Sequence, residues 1–393
     1  MTTRRALLEF LHRESTGGLV LLAATVVALV WANSPIQESY GDLWHADLRL
    51  GVGPVARTED LQHWVNDGLM ALFFFVVGLE IKRELAVGEL RDPKAAALPA
   101  VAALGGMAVP ALLYLAINSG EGGVLRGWAV PMATDIAFCV GIMALLGDRV
   151  SSSLKLFLLT LAIVDDIGAI AVIALFYGGP VSVGPLAIAL VALVGYGVLH
   201  RRRFRGWPVY AVLGVVAWAA LLASGIHATL AGVALGLLTR ATATGDDESP
   251  VERAERALHP WSTLVVVPVF ALANAGVVLS SRALSDAASS RVALGVAAGL
   301  VLGKFAGVLG ATWLGARAGI GVLPTGVRWG EVAGVAALAG VGFTVSLFVT
   351  TLAFDSAEEV GAATTGILAA SVIAAALGGV ILARTARVEE GEV

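Results

Sequence analysis

The chain has 393 residues, of which 58% are hydrophobic and 14% are charged, and its mean hydropathy is +0.84. A composition this apolar, arranged in many runs long enough to cross a bilayer, excludes a water-soluble protein and predicts a polytopic helical membrane protein. The net charge of −4 says little, because the side of the membrane on which each charge lies matters more than the sum. The single cysteine, Cys139, excludes intramolecular disulfides, and no Cys/His cluster has metal-ligand spacing.

The first apolar stretch, 17–32, follows three arginines, Arg4, Arg5 and Arg13. This arrangement is similar to a signal peptide, but no clear small-residue cleavage site follows. Because many apolar runs come after it, we interpret the stretch as a retained first helix.

The apolar runs predict twelve membrane spans and no soluble domain. The predicted spans are 15–33, 61–81, 95–117, 124–146, 153–177, 184–200, 207–222, 226–239, 261–279, 292–315, 331–354 and 361–383. We therefore expect one transmembrane domain over residues 1–393, with a small insertion at about 47–58. The cytoplasmic segment 240–259 is expected to start a helix in its second half, with Ser249 as the cap and Pro250 as the first helical residue.

The insertion between the first two spans has a strand-like pattern. Residues 47–58 (DLRLGVGPVART) alternate apolar and polar side chains around a Gly-Val-Gly-Pro turn. The pattern predicts a β-hairpin outside the cytoplasm. An isolated hairpin is marginally stable in water, so we expect it to pair with another chain.

The segment 207–239 is long for one span and short for two. Two spans place most of the 26 lysines and arginines on the cytoplasmic side, whereas one span distributes them more evenly between the two sides. The positive-inside rule therefore favours two spans here, twelve in total, and both termini in the cytoplasm.

The span 153–177 carries two adjacent carboxylates, Asp165 and Asp166, near its centre. A charged side chain at mid-membrane costs on the order of 3 kcal/mol on insertion scales, so an ionisable residue there indicates a functional site. The alternative is a pair that only joins helices by hydrogen bonds. Consecutive helical residues lie about 100° apart around the axis, so the two carboxylates face different neighbours and can hold different roles.

Two other charges lie near the middle of predicted spans. Asp135 follows Pro131 and Thr134 in the fourth span, a run that suggests a helix broken near mid-membrane. Lys304 lies near the middle of the tenth span, although a lysine can also snorkel to a helix end. His227 begins the short eighth span, where capping or packing explains it at least as well as ionisation.

The stretch 334–348 of the eleventh span has no charge but contains Gly340, Gly342, Thr344 and Ser346 in close succession, which favours local unwinding. Broken helices leave partial positive charge at half-helix N-termini and partial negative charge at C-termini. Asp135 can offset the former and Lys304 the latter. Broken segments in the two halves of a transporter indicate its binding site.

The ligand types favour a hard cation, because the nearby donors are carboxylate, hydroxyl and carbonyl oxygens. A carboxylate–ammonium pair beside a second carboxylate can exchange protons within an accessible pH range. Sodium or lithium would then compete with protons for the same oxygens. One site that holds either ion and opens to alternate sides is an antiporter.

Several motifs point to a known family. They are FFFVVGLEIKREL (73–85), ATDIAF around Asp135, LAIVDDIGAI around Asp165, SGIHATLAG around His227, LHPW (258–261), FALANAGV (270–277) and GVGFTVS near Gly342. In this order, over nearly the whole chain, they resemble the NhaA family of sodium–proton antiporters.

This resemblance implies twelve helices with inverted repeats, broken helices that cross at the fourth and eleventh spans, and a bacterial inner-membrane location with cytoplasmic termini. It implies Asp166 and Asp165 as the site for the transported cation and protons, Lys304 paired to Asp165, and support from Asp135 and Thr134. It also implies electrogenic exchange, with more protons entering than sodium leaving, and a homodimer joined by the hairpin. The expected partners are Na⁺, Li⁺, H⁺ and membrane lipid, without a cofactor, an enzymatic activity or a nucleic acid.

The resemblance further implies activation by alkaline pH. The pH-sensing residues would be Glu80, Arg83, Glu84, Glu255 and His259. A family member has a histidine where this chain has Arg256, which leaves the pH set point open.

Two rival functions use the same residues. An intramembrane aspartyl protease could use Asp135 with Asp166, but Lys304 would then have no role, and no Tyr-Asp or Gly-x-Gly-Asp context appears. A passive cation channel would keep the acidic residues but would not need a buried lysine.

Overall fold

The computed structural model describes residues 3–50, 57–243 and 248–385, and it describes only the backbone of 3–15, 148, 283 and 284. The described residues are mostly helical, which confirms the predicted class. Their α-helices are α1 (Thr3–Ala32), α2 (Gln37–Trp44), α3 (Leu61–Trp64), α4 (Met70–Val87), α5 (Pro93–Asn118), α6 (Ile136–Leu145), α7 (Ser152–Phe176), α8 (Val183–Arg201), α9 (Trp207–Ser224), α10 (Thr229–Leu238), α11 (Pro250–Trp261), α12 (Val267–Asn274), α13 (Ser281–Ser289), α14 (Arg291–Ala298), α15 (Lys304–Arg317), α16 (Trp329–Leu338), α17 (Phe343–Ala353) and α18 (Ala357–Thr385). The 3₁₀ turns are Glu89–Arg91, Leu125–Met132 and Gly147–Arg149, and the π-helical turns are Val65–Leu69, Ser262–Val266 and Gly299–Gly303.

Nine helical stretches in the described ranges are long and apolar enough to cross a membrane, and two bent helix pairs raise the number to as many as eleven. One further apolar helix, α10, is shorter, with 10 residues. The spans match a polytopic membrane protein, whereas the count of twelve and the inverted repeats stay predictions.

The ambiguous segment 207–239 forms two helices, α9 and α10. α9 ends at Ser224 and is followed by Gly225, whose φ of 86° is in the left-handed region that glycine adopts without steric cost. A side chain at this position would also meet the Pro180 carbonyl. The division into two helices agrees with the distribution of positive charge along the sequence.

Several helix boundaries differ from the predicted ones; α4, for example, extends to Val87 rather than ending near 81. α1 begins at Thr3 rather than near 15, because residues 3–14 contain no proline or glycine that would stop the helix. α12 ends at Asn274 rather than near 279. Shortly after it, the Gly276 amide donates to the Tyr40 hydroxyl at 3.2 Å instead of continuing the helical ladder.

The chain divides into two compact units. The first unit comprises Met1–Ala23, Asp92–Ala169 and Val277–Val393, and the second comprises Ala24–Arg91 and Ile170–Gly276. The core of the first unit is formed around the breaks of the fourth and eleventh spans, where α17 is buried along most of its length. In the second unit, α10 packs closely against α4. Glycine is needed at this contact, because a side chain at Gly236 would meet the backbone of Gly78.

The predicted hairpin is confirmed. Strands β1 (Asp47–Leu50) and β2 (Arg57–Asp60) pair antiparallel, with Leu48 opposite Glu59. Its turn, 51–56, lies outside the described residues. The base of the hairpin is tied to the following helix, because Trp64 Nε1 donates to the Leu48 carbonyl at 2.8 Å and Asp60 caps α3.

The predicted start of α11 is also confirmed. Ser249 accepts a hydrogen bond from the Glu252 amide, and the Glu252 carboxylate accepts one from the Ser249 amide, with Pro250 in the first turn. This capping box contributes about 1 kcal/mol to helix stability. It fixes the entry of the helix that carries Glu255 and His259.

Candidate functional site

The fourth span is broken immediately before Asp135. The 3₁₀ turn Leu125–Met132 contains Pro131, and an extended stretch follows it until α6 begins at Ile136. Proline removes an amide donor and clashes with the preceding turn, so a regular helix cannot pass through this position. Asp135 then caps α6, accepting from the Phe138 amide at 3.0 Å.

The eleventh span is broken between α16 and α17, which meet at an angle of 44°. The break contains Gly340 and Gly342. A side chain at Gly340 would meet the Leu300 carbonyl, and one at Gly342 would meet Ser346. Tight packing and the low helix propensity of glycine therefore account for the break.

Hydrogen bonds join the two breaks directly. The Asp135 amide donates to the Val341 carbonyl at 2.7 Å, and Thr134 Oγ1 donates to the Ala339 carbonyl at 3.0 Å. Ser346 Oγ donates in the opposite direction, to a carbonyl of the fourth span at 2.8 Å. Backbone groups without helical partners are thus satisfied by the other span, which is the condition for irregular backbone at membrane depth.

The Asp135 carboxylate lies at two helix N-termini. One oxygen accepts from the Phe138 amide of α6, and the other accepts from the Thr344 amide at 3.1 Å and the Thr344 hydroxyl at 2.7 Å. Thr344 lies in the first turn of α17. A carboxylate in this position offsets the partial positive charge of both N-termini, as expected from the sequence.

Lys304 and Asp165 form a buried ion pair. Lys304 Nζ lies 2.6 Å from Asp165 Oδ2, and both side chains are 0% exposed. The snorkelling alternative is therefore wrong for Lys304. Asp165 Oδ1 is also buried and has no hydrogen-bond partner among the described residues.

A close contact between α5 and the tenth span brings Lys304 to this position. The π-helical turn Gly299–Gly303 directly precedes Lys304. A side chain at Gly303 would meet the backbone of Pro110 in α5, and one at Gly106 would meet Val308. Small residues let helix backbones approach closely in a membrane, and here they admit the lysine stem between helices.

Asp166 and Thr134 complete the group. Asp166 is 8% exposed, which distinguishes it from the fully buried Asp165. The Thr134 side chain is buried and lies next to the Asp165 carboxylate. The structure therefore brings together Asp135, Thr134, Asp165 and Lys304 in the first unit, with Asp166 adjacent on α7.

The donors near this pair are carboxylate and hydroxyl oxygens, which suit a hard monovalent cation such as sodium. The described residues hold no group of three or more His, Cys, Asp and Glu side chains that could bind a metal ion.

A family model described as Na⁺/H⁺ antiporter 1 matches residues 8–382 of the chain. The chain belongs to this family. A protein of Rhodospirillum rubrum named Na(+)/H(+) antiporter NhaA is 47% identical over 392 residues, covering 96% of this chain and 97% of the relative. A protein of the same name from Pseudomonas fluorescens is 44% identical and covers 98% of both chains.

A solved structure supports the same fold. The sodium proton antiporter MjNhaP1 from Methanocaldococcus jannaschii matches with a TM-score of 0.58, covering 98% of this chain and 99% of that chain. The sequences are 13% identical, so the likeness concerns the fold alone. Together, the apolar spans and the family establish an integral membrane protein.

This chain has a second group of charged side chains, in the second unit. We call it the charged cluster, and its members are Glu80, Arg83, Glu84, Glu255 and His259. Arg83 donates to Glu84 Oε1 at 3.1 Å and forms a short ion pair with Glu255. His259 Nε2 lies 3.7 Å from Glu80 Oε1. All five residues named from the sequence thus meet within the second unit, between α4 and α11.

His227 and Arg256 lie outside both groups. His227 Nε2 is 2.5 Å from the Tyr177 carbonyl, a contact that joins two loops of the second unit and fits a packing role. Arg256 forms an ion pair with Glu248, and its side chain is 60% exposed. The ion-pair partner of Arg256 is therefore Glu248, which is not a member of the buried charged cluster.

Thr344 has a role that the sequence did not reveal. Its glycine-rich surroundings predicted a break in the span, but hydroxyls are common in such segments, and spacing alone does not show which one reaches Asp135. The signal available in the sequence was its place two residues after Gly342, at the start of a new helix.

Proposed function

We propose that this protein is a secondary active antiporter that exports Na⁺ or Li⁺ in exchange for protons. Asp166 and Asp165 bind the cation and the exchanged protons, and the site opens alternately to each side of the membrane. The observation that carries the proposal is the buried pair of Asp165 and Lys304 beside a second intramembrane carboxylate. Membership in a family described as Na⁺/H⁺ antiporter 1 supports the same function.

The exchange is electrogenic in this proposal. Asp166 binds the cation, while the pair of Asp165 and Lys304 releases or takes up a proton. If both carboxylates exchange protons for one Na⁺, more positive charge enters as protons than leaves as sodium. The full chain acts as one transporter domain in the bacterial inner membrane, with both termini in the cytoplasm. This orientation is supported by the predominance of Lys and Arg in the predicted cytoplasmic segments.

An intramembrane protease is not supported. The Asp135 carboxylate is held by α6 and α17 through three donors, so it is engaged as a helix cap rather than aimed at a shared water. A channel would conduct Na⁺ without moving protons in return. The two transport modes therefore differ in a directly measurable quantity.

The experiment is a flux assay on purified protein in sealed vesicles that contain a pH-sensitive dye. Addition of Na⁺ or Li⁺ outside should release protons from the lumen, with a rate that depends on membrane potential. Na⁺ uptake without a pH change would indicate a channel, and no flux of either ion would overturn the proposal. A scan over pH with Na⁺, Li⁺ and K⁺ would establish selectivity and the activation profile.

We also propose that the charged cluster senses cytoplasmic pH. Glu255 is buried, one of its oxygens pairs with Arg83, and the other, Oε2, has no hydrogen-bond partner among the described residues. A buried charge network of this kind is sensitive to the protonation of any member, because charges interact strongly away from water. The cluster lies at the ends of two predicted spans, where a change in charge can shift helix packing.

Glu255→Gln is expected to shift the midpoint of the activity–pH profile by about one unit or more, because about 1.4 kcal/mol of lost interaction corresponds to one unit. Glu248→Gln is the matched control, since its ion pair with Arg256 is exposed and such pairs contribute little. The measurement is the vesicle assay from pH 6 to 9. Identical profiles for Glu255→Gln and the unmodified protein would contradict the sensing role.

We propose that the hairpin joins two membrane-embedded copies of the chain in a homodimer. β1 and β2 pair only with each other among the described strands, and Leu48 and Leu50 are exposed on β1. An exposed apolar strand with a free edge is a template for pairing with another chain. A second copy of the same hairpin would provide an antiparallel partner.

Deletion of 47–58 is expected to weaken dimerisation and to preserve exchange. The chain on both sides of the deletion already lies close together, because the Leu61 amide donates to the Ala46 carbonyl at 3.1 Å. Light scattering after size-exclusion chromatography, over a dilution series in detergent, measures the dimer fraction. Arg49→Ala is a control that keeps the hairpin. A deletion variant that remains dimeric at high dilution would exclude the hairpin as the main contact.

A further inference from the structure

Thr344 supplies two hydrogen-bond donors from the eleventh span to the Asp135 carboxylate. Its amide and its hydroxyl both donate to Asp135 Oδ2, at 3.1 and 2.7 Å. The two residues are separated by 209 positions in the chain, and both are almost fully buried. Hydrogen bonds to a charged acceptor are about twice as strong as those between neutral groups. At 2.7 Å, the contact from the hydroxyl is shorter than the two contacts from the amides of Phe138 and Thr344 to the same carboxylate, at 3.0 and 3.1 Å.

The two donors of Thr344 differ in what they require from the side chain. The amide belongs to the first turn of α17, where helical amides have no intrahelical acceptor, so any residue at this position supplies it. The hydroxyl is supplied only by threonine or serine. Its removal leaves Asp135 Oδ2 with the backbone donor but without the side-chain donor.

Asp135 in turn fixes the backbone next to the candidate cation site. Its amide donates to the Val341 carbonyl, and the hydroxyl of the preceding Thr134 donates to the Ala339 carbonyl. Thr134 lies next to the Asp165 carboxylate. Asp135 is therefore linked to the Asp165 carboxylate through the adjacent Thr134, and neither Thr344 nor Asp135 needs to touch the cation.

We propose that Thr344 is a positioning residue for cation binding, which acts through Asp135 and Thr134 by the hydrogen bond from its hydroxyl to Asp135 Oδ2. This inference rests on the proposed antiport function, since it assigns a role in that same site. It predicts that the hydroxyl determines the apparent affinity for Na⁺ more than the maximal rate. A residue that only supported folding would lower the amount of active protein and leave the affinity unchanged.

The test compares Thr344→Val, which keeps the shape and removes the hydroxyl, with Thr344→Ser, which keeps the hydroxyl. Thr350→Val is the matched control, because Thr350 is buried on the same helix and its hydroxyl donates to the Ser346 carbonyl of its own helix. KM for Na⁺ and maximal rate are measured in vesicles, per amount of inserted protein. Thr344→Val should raise KM about tenfold with the maximal rate within about twofold, because a hydrogen bond to a charged group is among the stronger ones and its loss loosens the residues next to the cation site.

Thr344→Ser and Thr350→Val should keep KM within about twofold of the unmodified protein, given that neither removes the donor to Asp135. An unchanged KM in Thr344→Val, or an equal rise in Thr344→Ser, would overturn the proposal. If Thr344→Val does not insert, Thr344→Ala replaces it and the same criteria apply.

A second measurement does not depend on transport. Melting temperatures of Thr344→Val, Asp135→Asn and the double variant form a thermodynamic cycle, in which directly interacting residues give non-additive effects. Additive effects would overturn the inference. If the unmodified protein shows no exchange, the proposed function fails, and the cycle still decides whether Thr344 acts through Asp135.

Discussion

Lys304→Met is expected to lower the thermal stability of the protein more than removal of any exposed arginine in the loop 201–205. The substitution keeps most of the aliphatic stem and removes the ammonium group that lies 2.6 Å from Asp165 Oδ2. Both partners are 0% exposed, so water cannot solvate the carboxylate that remains. Breaking a buried ion pair on one side costs roughly 3–5 kcal/mol, because it leaves an uncompensated charge.

The double variant Asp165→Leu with Lys304→Met separates the charge effect from packing. Replacement of both members of a buried ion pair by apolar residues is often neutral or stabilising. We therefore expect the double variant to recover the melting temperature of the unmodified protein while exchange is lost. Arg202→Ala, in an exposed segment, is the control. Equal melting temperatures for Lys304→Met and Arg202→Ala would contradict a stabilising ion pair.

Much of the fold could be predicted because each element has a local cause. Long apolar runs predict the helices, Pro131 and the glycines at 340 and 342 predict the two breaks, and the Ser249 motif predicts the start of α11. These signals depend on the residues themselves or on close neighbours. The total of twelve spans could not be settled in the same way, since α10 has only 10 residues and length alone does not show whether it crosses the membrane.

The candidate site was predictable in its members but less so in its geometry. The cost of a charge at mid-membrane singles out Asp135, the pair at 165 and 166, and Lys304 from the sequence. Which acceptor each donor reaches depends on contacts across more than a hundred residues, such as 139 between Lys304 and Asp165. The π-helical turn before Lys304 and the Thr344 hydroxyl arise from this tertiary packing, so neither could be derived from spacing.

The structure provides a physical asymmetry between Asp165 and Asp166 that sequence spacing lacks. Asp165 is fully buried and paired with Lys304, whereas Asp166 is 8% exposed. An ammonium group beside a carboxylate competes with a cation for the same oxygens, so the paired carboxylate is the poorer ligand. The same pairing favours Asp165 as the site of coupled proton exchange, because a change at one partner alters the protonation of the other. This asymmetry supports the roles implied by the family resemblance.

Asp166→Asn is accordingly expected to abolish Na⁺ binding, because the amide keeps the shape of the carboxylate and loses its charge. Asp165→Asn should retain weak Na⁺ binding but lose most of the coupled exchange, since the carboxylate that pairs with Lys304 is gone. Asp355→Asn is the control, as Asp355 is 94% exposed and its contact with Arg126 at 3.4 Å lies at the surface. Calorimetric titration with Na⁺ at alkaline pH, together with the vesicle assay, measures binding and exchange separately. Normal binding by Asp166→Asn would remove Asp166 from the cation site, and loss of binding only in Asp165→Asn would reverse the two roles.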